Sequence, residues 1–207
     1  MQRLWELDFF RGTAVALMLV FNYAFALRYL NIMEFGESWL FWWLFPRLIA
    51  GMFILIAGIS VTINAKNKTW TNYFQRGARI FFLGILITIT TLVFTASPIL
   101  FGILHFLAVA IALSPLFLKM KPNLLLLASL IILFVGSFLQ TVTVDYDWLF
   151  WLGLTPRNFH SLDYFPLLPW TGIFMLGIYA GKKLYRNGKR RFKIKERSPW
   201  INFLGRH

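Results

Sequence analysis

The sequence predicts an all-α, polytopic transmembrane helix bundle of about six spans with both termini cytoplasmic, and three observations carry that prediction. The first is composition: of 207 residues, 58% are hydrophobic and 19% aromatic, and the mean hydropathy is +0.65. That is more apolar surface than one water-facing domain of this size can bury in a core. The second is the length of the apolar runs, because a helix needs about 20 apolar residues to cross the hydrocarbon layer. The third is an alternation of basic and poorly basic segments between those runs.

Six runs approach the required length, at 12–30, 40–63, 78–95, 99–118, 124–144 and 165–181. Residues 1–10 mix acids with bases and lead into the first run without an A-x-A-like cleavage site, so the first helix is expected to be retained. The Ala96-Ser97-Pro98 turn joins the third and fourth runs into an antiparallel hairpin. Residues 146–170 mix Trp148, Phe150 and Trp151 with Pro156, Pro166 and Pro169, a pattern that suits an interfacial or re-entrant loop. The chain therefore divides into a transmembrane domain at 1–184 and a basic cytoplasmic tail at 185–207. The tail's apolar patch from Trp200 to Leu204, beside its basic residues, suits contact with anionic lipids.

Charge sets the expected orientation. Of 21 Lys and Arg residues, 18 fall on the side that includes both termini, whereas the opposite loops hold Arg28 and Arg157 and one run contains Arg47. Cytoplasmic loops retain positive charge, so the basic side is read as the inside of a cell membrane. Glu34, Glu37, Asp145, Asp147, Asp163 and His160 then lie outside. The formal charge of +13 does not indicate a nucleic-acid partner, because the basic residues are dispersed between apolar runs and in a tail. With no Cys, disulfides, thiolate metal sites and a Cys nucleophile are excluded. No His/Asp/Glu set has metal-ligand spacing, and neither a G-x-S-x-G elbow nor a phosphate-cradling Gly loop occurs.

Polar groups within spans are costly and mark function or pairing. Asp8 and Arg11 are three residues apart at the inner mouth of the first span, where they can pair with each other or hold an anionic group arriving from the cytosol. Asn22 lies eleven residues further on, about 16 Å along the helix, as an interhelical hydrogen-bonding group or an amide that orients a carbonyl. Arg47 follows Pro46 in the second span and calls for a carboxylate or an anionic ligand, with Glu34, Glu37 and Asp163 as protein partners on that side. His105, in Phe101-Gly-Ile-Leu-His-Phe106, is either a base or a packed core histidine, and Gly102 beside it permits a close approach. Asn22, Arg47 and His105 are expected at similar depth, as a shared polar pocket would require.

The opening Glu6-Leu-Asp8-Phe-Phe-Arg11-Gly12-Thr-Ala14 and the run to Phe21-Asn22-Tyr23 resemble the heparan-alpha-glucosaminide N-acetyltransferase catalytic-domain family of membrane acyltransferases. Similar stretches follow at Phe45-Pro46, Ala57-Gly58-Ile59-Ser60, Gly102-Ile-Leu-His105-Phe, Leu162-Asp163-Tyr-Phe-Pro166-Leu-Leu-Pro169-Trp170 and Phe203-Leu-Gly-Arg-His207. The resemblance implies transfer of an acetyl group from cytosolic acetyl-CoA, bound as donor rather than as a permanent cofactor, to a sugar or lipid acceptor at the outer face. In larger relatives the position of Asn22 is often His; the glucosaminide enzymes have Asn there and an essential His in the following loop. No His precedes His105 here, so that role is not carried over. Either His105 or His160 supplies the base, or the activity is lost. In a direct-transfer scheme Asn22 polarises the thioester, His105 takes the acceptor's proton and Asp163 orients one of them, while Arg11, Asp8, Arg47 and His160 bind substrate. Family members usually continue past Leu-Gly-Arg-His into another apolar helix, so the resemblance implies either a naturally short protein or a tail that leads into a closing helix. The non-catalytic alternatives are a small transporter or flippase, with Arg47, His105 and Asp163 along a permeation route, and an accessory subunit packed on a partner through the aromatic loop and the basic tail; a homo-oligomer is compatible with each reading.

Overall fold

The structure is a computed structural model that describes residues 4–33, 36–65, 68–95, 98–186 and 189–190. Six α-helices follow in order: α1 (Trp5–Tyr29), α2 (Phe45–Ile63), α3 (Trp70–Phe94), α4 (Ile103–Lys119), α5 (Pro122–Leu139) and α6 (Leu167–Leu184). A π-helical stretch at Leu40–Leu44 runs directly into α2. A two-residue pairing of Tyr185–Arg186 with Lys189–Arg190 follows α6; the rest of the predicted tail, 187–188 and 191–207, lies outside the described residues.

Four helical stretches, Trp5–Tyr29, Leu40–Ile63, Trp70–Phe94 and Pro122–Leu139, are long and apolar enough to cross a membrane, and Ile103–Lys119 is a shorter apolar helix. The six expected runs are thus six helices with corrected bounds. Helices α1 and α3 begin well before their apolar runs, so Asp8, Arg11, Arg76 and Arg79 are helical. Helix α3 starts at Trp70 because Thr69 and Asn72 form a capping box, satisfying backbone donors that would otherwise be orphaned. Helix α4 starts four residues late: Phe101 instead bridges Tyr164, and Gly102 is extended. Helix α6 is interrupted at Leu168, before Pro169, and ends in Lys182 and Lys183. Helix α5 stops at Leu139, short of Val144, whose N–H donates to the Thr155 carbonyl at 3.2 Å.

Helix α6 is the centre of the bundle, packed extensively against α2 and α5 and also touching α4, while α3 packs on α4 and α1 packs chiefly on α2. Their shared core includes Ile54, Phe106, Ile111, Phe174 and Ile178. Close approach of α2 to α6 needs glycine: a Cβ at Gly58 would lie 2.9 Å from the Ile178 nitrogen, and one at Gly177 would lie 3.1 Å from the Gly58 Cα. Leu19, Val20, Phe74, Phe82, Phe134 and Phe138 are exposed, giving the outward faces the apolar character that lipid requires.

Both ends of α4 are held by charged side chains distant in sequence. At its start the Asp163 Oδ2 accepts the Ile103 N–H at 3.0 Å. At its finish the Lys182 Nζ donates to the carbonyls of Leu118 and Met120 at 2.8 and 2.6 Å. Anion at the N-terminus and cation at the C-terminus complement the helix dipole. Because Asp163 precedes α6 and Lys182 lies in its last turn, α6 and its lead-in clamp α4 lengthwise.

Candidate functional site: a cavity between α1, α2 and the loop before α6

A cavity of about 820 Å³ opens at the end of the bundle where α1 finishes and α2, α4 and α6 begin. Asn22 and Arg28 of α1, Trp42 of the π-helical stretch, Arg47 of α2, Gln140 after α5 and Asp163 before α6 all line it. The α1 wall is periodic. Met18, Asn22, Phe25 and Arg28 recur every three or four residues and so share one face. On the α2 side the backbone is locally π-helical, a form that often occurs at functional sites.

Asn22 is exposed on this wall, and its amide makes no hydrogen bond to any described residue. Arg47 is held by its own helix, not by a carboxylate: its Nη1 donates to the Trp43 carbonyl at 2.8 Å, and its guanidinium lies 4.2 Å from the Trp43 ring centroid. Among the described residues no carboxylate is within ion-pair distance of Arg47. Of the expected partners, Glu37 instead lies 3.7 Å from Arg28, Asp163 forms no ion pair with Arg47, and Glu34 is outside the described residues. Arg28 stacks 4.6 Å from the Trp42 centroid.

Asp163 is placed by a zipper between residues 98–103 and 161–165. The Ser161 hydroxyl donates to the Pro98 and Asp163 carbonyls, and the Phe165 N–H donates to the Phe101 carbonyl at 2.8 Å. Gly102 admits a close approach as expected, and what approaches is the Asp163 carboxyl: a Cβ at Gly102 would sit 2.5 Å from its Oδ2. Burial pushes the Asp163 pKa up, and the Ile103 N–H opposes that shift by favouring the charged form. The other oxygen, Oδ1, accepts no hydrogen bond from a described residue. Burial also raises the Tyr164 phenol, whose O–H donates to the Phe150 carbonyl at 2.7 Å, so it stays neutral.

His105 does not share this cavity. It occupies the first turn of α4, 5% exposed, and faces α3. Its ring packs edge-on against Phe81 at 5.2 Å and beside Phe101 at 5.7 Å, and a Cβ at Gly84 would lie 3.0 Å from it. Nδ1 is buried without a hydrogen-bond partner. The expected common pocket of Asn22, Arg47 and His105 is therefore a pocket of Asn22, Arg47 and Asp163. His160 is exposed and also outside the lining.

Asp8 and Arg11 lie at the opposite end of α1. Arg11 donates to Asp8 Oδ1 at 3.2 Å and to the Ser60 hydroxyl of α2. Eleven residues are about three helical turns, so Arg11 and Asn22 share the face of α1 that meets α2. Arg28, Trp42 and Gln140 are lining residues that sequence reasoning missed. For Arg28 the signal was available, since it continues the spacing from Asn22. Among the described residues no group of three His, Asp or Glu side chains could hold a metal ion.

A helical bundle with apolar outer faces and four helices long and apolar enough to cross a membrane is a membrane protein. The sequence profile for the catalytic region of heparan-alpha-glucosaminide N-acetyltransferase matches residues 3–207, and the chain belongs to that acetyltransferase family. Searches of curated proteins and of solved structures found no match.

Proposed function

We propose that the protein transfers an acetyl group from acetyl-CoA to a hydroxyl or amine of a sugar or lipid acceptor in the cavity lined by Asn22, Arg47 and Asp163. The observation that carries this reading is the Asn22 amide, exposed on the cavity wall with no hydrogen bond to a described residue, in the same lining as the Asp163 carboxyl. Donor CoA arrives at the basic end, where Arg11 supplies a cation for its phosphates. Its pantetheine arm follows the shared face of α1 and α2 to Asn22, about 16 Å away.

The acceptor heteroatom attacks the thioester carbonyl as Asn22 donates to the developing oxyanion. The new C–N or C–O bond forms as the C–S bond breaks. The acceptor's proton passes to Asp163 Oδ1, and CoA leaves as a thiol once reprotonated. Asp163 replaces His105 as the base in this scheme, because the His105 ring is enclosed between α3 and α4. The raised Asp163 pKa brings it nearer neutrality, where a carboxylate is a more effective base.

The test is transfer of labelled acetyl from acetyl-CoA to glucosamine by the protein in nanodiscs. Asn22→Ala is expected to slow transfer about a hundredfold, the usual effect of removing one oxyanion donor, while acetyl-CoA still binds. Transfer at the wild-type rate in Asn22→Ala contradicts the assignment.

A further inference from the structure

We infer that the acceptor side of this cavity is built for a phosphate group, held between Arg28 and Arg47. The inference deepens the acetyl-transfer reading and rests on it only for the name acceptor; the anion site itself is argued from the cavity.

The charged side chains lining the cavity are Arg28, Arg47 and Asp163. Asp163 is already engaged by the Ile103 N–H, and no ion pair joins it to either arginine among the described residues. Arg28 has Glu37 at 3.7 Å, but that carboxylate is 92% exposed and water weakens the pair. The chamber thus holds two guanidinium groups, of which Arg28 has only the water-exposed Glu37 and Arg47 has no carboxylate within ion-pair distance among the described residues. For Arg47, in a predicted span, a missing counter-charge is costly, and an anionic ligand shared with Arg28 relieves the cost.

Each group is also held against an indole. Consecutive indoles, Trp42 and Trp43, each carry one guanidinium at 4.6 and 4.2 Å from the ring centroid. Stacking fixes the guanidinium plane, leaving its edge N–H groups as a fork for oxyanions. Trp42 is itself tied down, its indole N–H donating to the Gly36 carbonyl at 3.0 Å. Arg47 spends one of its donors on the Trp43 carbonyl and keeps the rest. A phosphate ester carries nearly two negative charges and three acceptor oxygens, enough for both forks, whereas a carboxylate satisfies one. The phosphate can belong to a soluble phosphosugar or to a lipid headgroup.

The experiment is calorimetric titration of the protein in phosphatidylcholine nanodiscs with glucosamine 6-phosphate and with glucosamine. Glucosamine 6-phosphate is expected to bind at least about tenfold more tightly. That preference is expected to vanish in Arg28→Gln and Arg47→Gln, to survive in part in the charge-keeping Arg47→Lys, and to persist in Arg157→Gln, a change at an exposed residue outside the cavity. Equal affinity for the two sugars, or a preference that survives both glutamine variants, overturns the inference. Doping the discs with phosphatidic acid separates the sources: competition assigns the phosphate to a lipid and its absence to a soluble acceptor. Labelled acetyl transfer in the same preparation keeps the two readings apart. Transfer without phosphate preference defeats the anion site alone, and phosphate preference without transfer to either sugar defeats the acetyl-transfer reading alone.

Discussion

Asp163 has two tasks that one substitution can separate. As the N-terminal cap of α4 it needs only an acceptor oxygen, and as the proposed base it needs a proton-binding one. Asp163→Asn should therefore keep the bundle near wild-type stability while abolishing acetyl transfer, and Asp163→Ala should lose transfer and about 1 kcal/mol of stability as well. The pH dependence has a definite sign. A carboxyl whose folded pKa is raised contributes stability below its unfolded pKa, and that contribution is lost as pH rises through the folded value. Thermal unfolding should accordingly show Asp163→Asn gaining on wild type as pH rises out of the ordinary carboxylate range; the acid limb of the wild-type rate should sit above that range. A variant that loses ground as pH rises would contradict the burial argument. His105→Gln, by contrast, is expected to retain transfer. Sequence reasoning could rank Asn22 and Arg47 because polar groups in apolar runs stand out, and Asp163 because it lies in a family-like stretch on the acidic outer side. It could not tell which face of α4 His105 takes, since both faces of that helix are apolar and the choice is made by Gly84 on α3.

At the level of elements, α4 depends on a glycine beside it and a lysine beyond it. Gly84→Ala would place a methyl 3.0 Å from the His105 ring, so α3 and α4 must separate or the ring must turn. The expected cost is about 1–3 kcal/mol. Lys182→Met removes both donors from the end of α4 and should cost about 2 kcal/mol. Denaturant unfolding in detergent measures both, and values near zero would show that α4 is held by its apolar faces alone. The existence and order of the helices were legible because apolar length is a strong signal. Their starts were less so: α3 is opened by Thr69 and Asn72 in a polar stretch that an apolar window passes over. The late start of α4 depends on its pairing with residues sixty positions away, which no local pattern contains.

At the level of the whole molecule, four long apolar helices and the family match make this a membrane protein. In the proposed scheme donor and acceptor enter from different compartments, so the scheme needs the two ends of the bundle on opposite sides of the membrane. The natural absence of Cys makes single-cysteine labelling a clean test. Lys68→Cys should react with an impermeant maleimide only in inside-out vesicles, and Arg157→Cys only in right-side-out ones. Labelling of both from the same side would overturn the orientation, although the fold would stand. The charge asymmetry predicts this orientation from sequence, and the labelling tests it, whereas the cavity was not predictable as a volume. Its walls come from α1, α2 and two loops whose approach is set by tertiary packing.

The most direct test of the central claim, that acetyl transfer takes place in this cavity, is to fill it. Leu162 lines the chamber and Phe134 lies on an outward face of α5, so cysteine at either position can be capped with N-ethylmaleimide before transfer from labelled acetyl-CoA is measured. The account predicts that capping Leu162→Cys stops transfer while capping Phe134→Cys leaves it unchanged. Full transfer by the capped Leu162→Cys protein would place the reaction elsewhere.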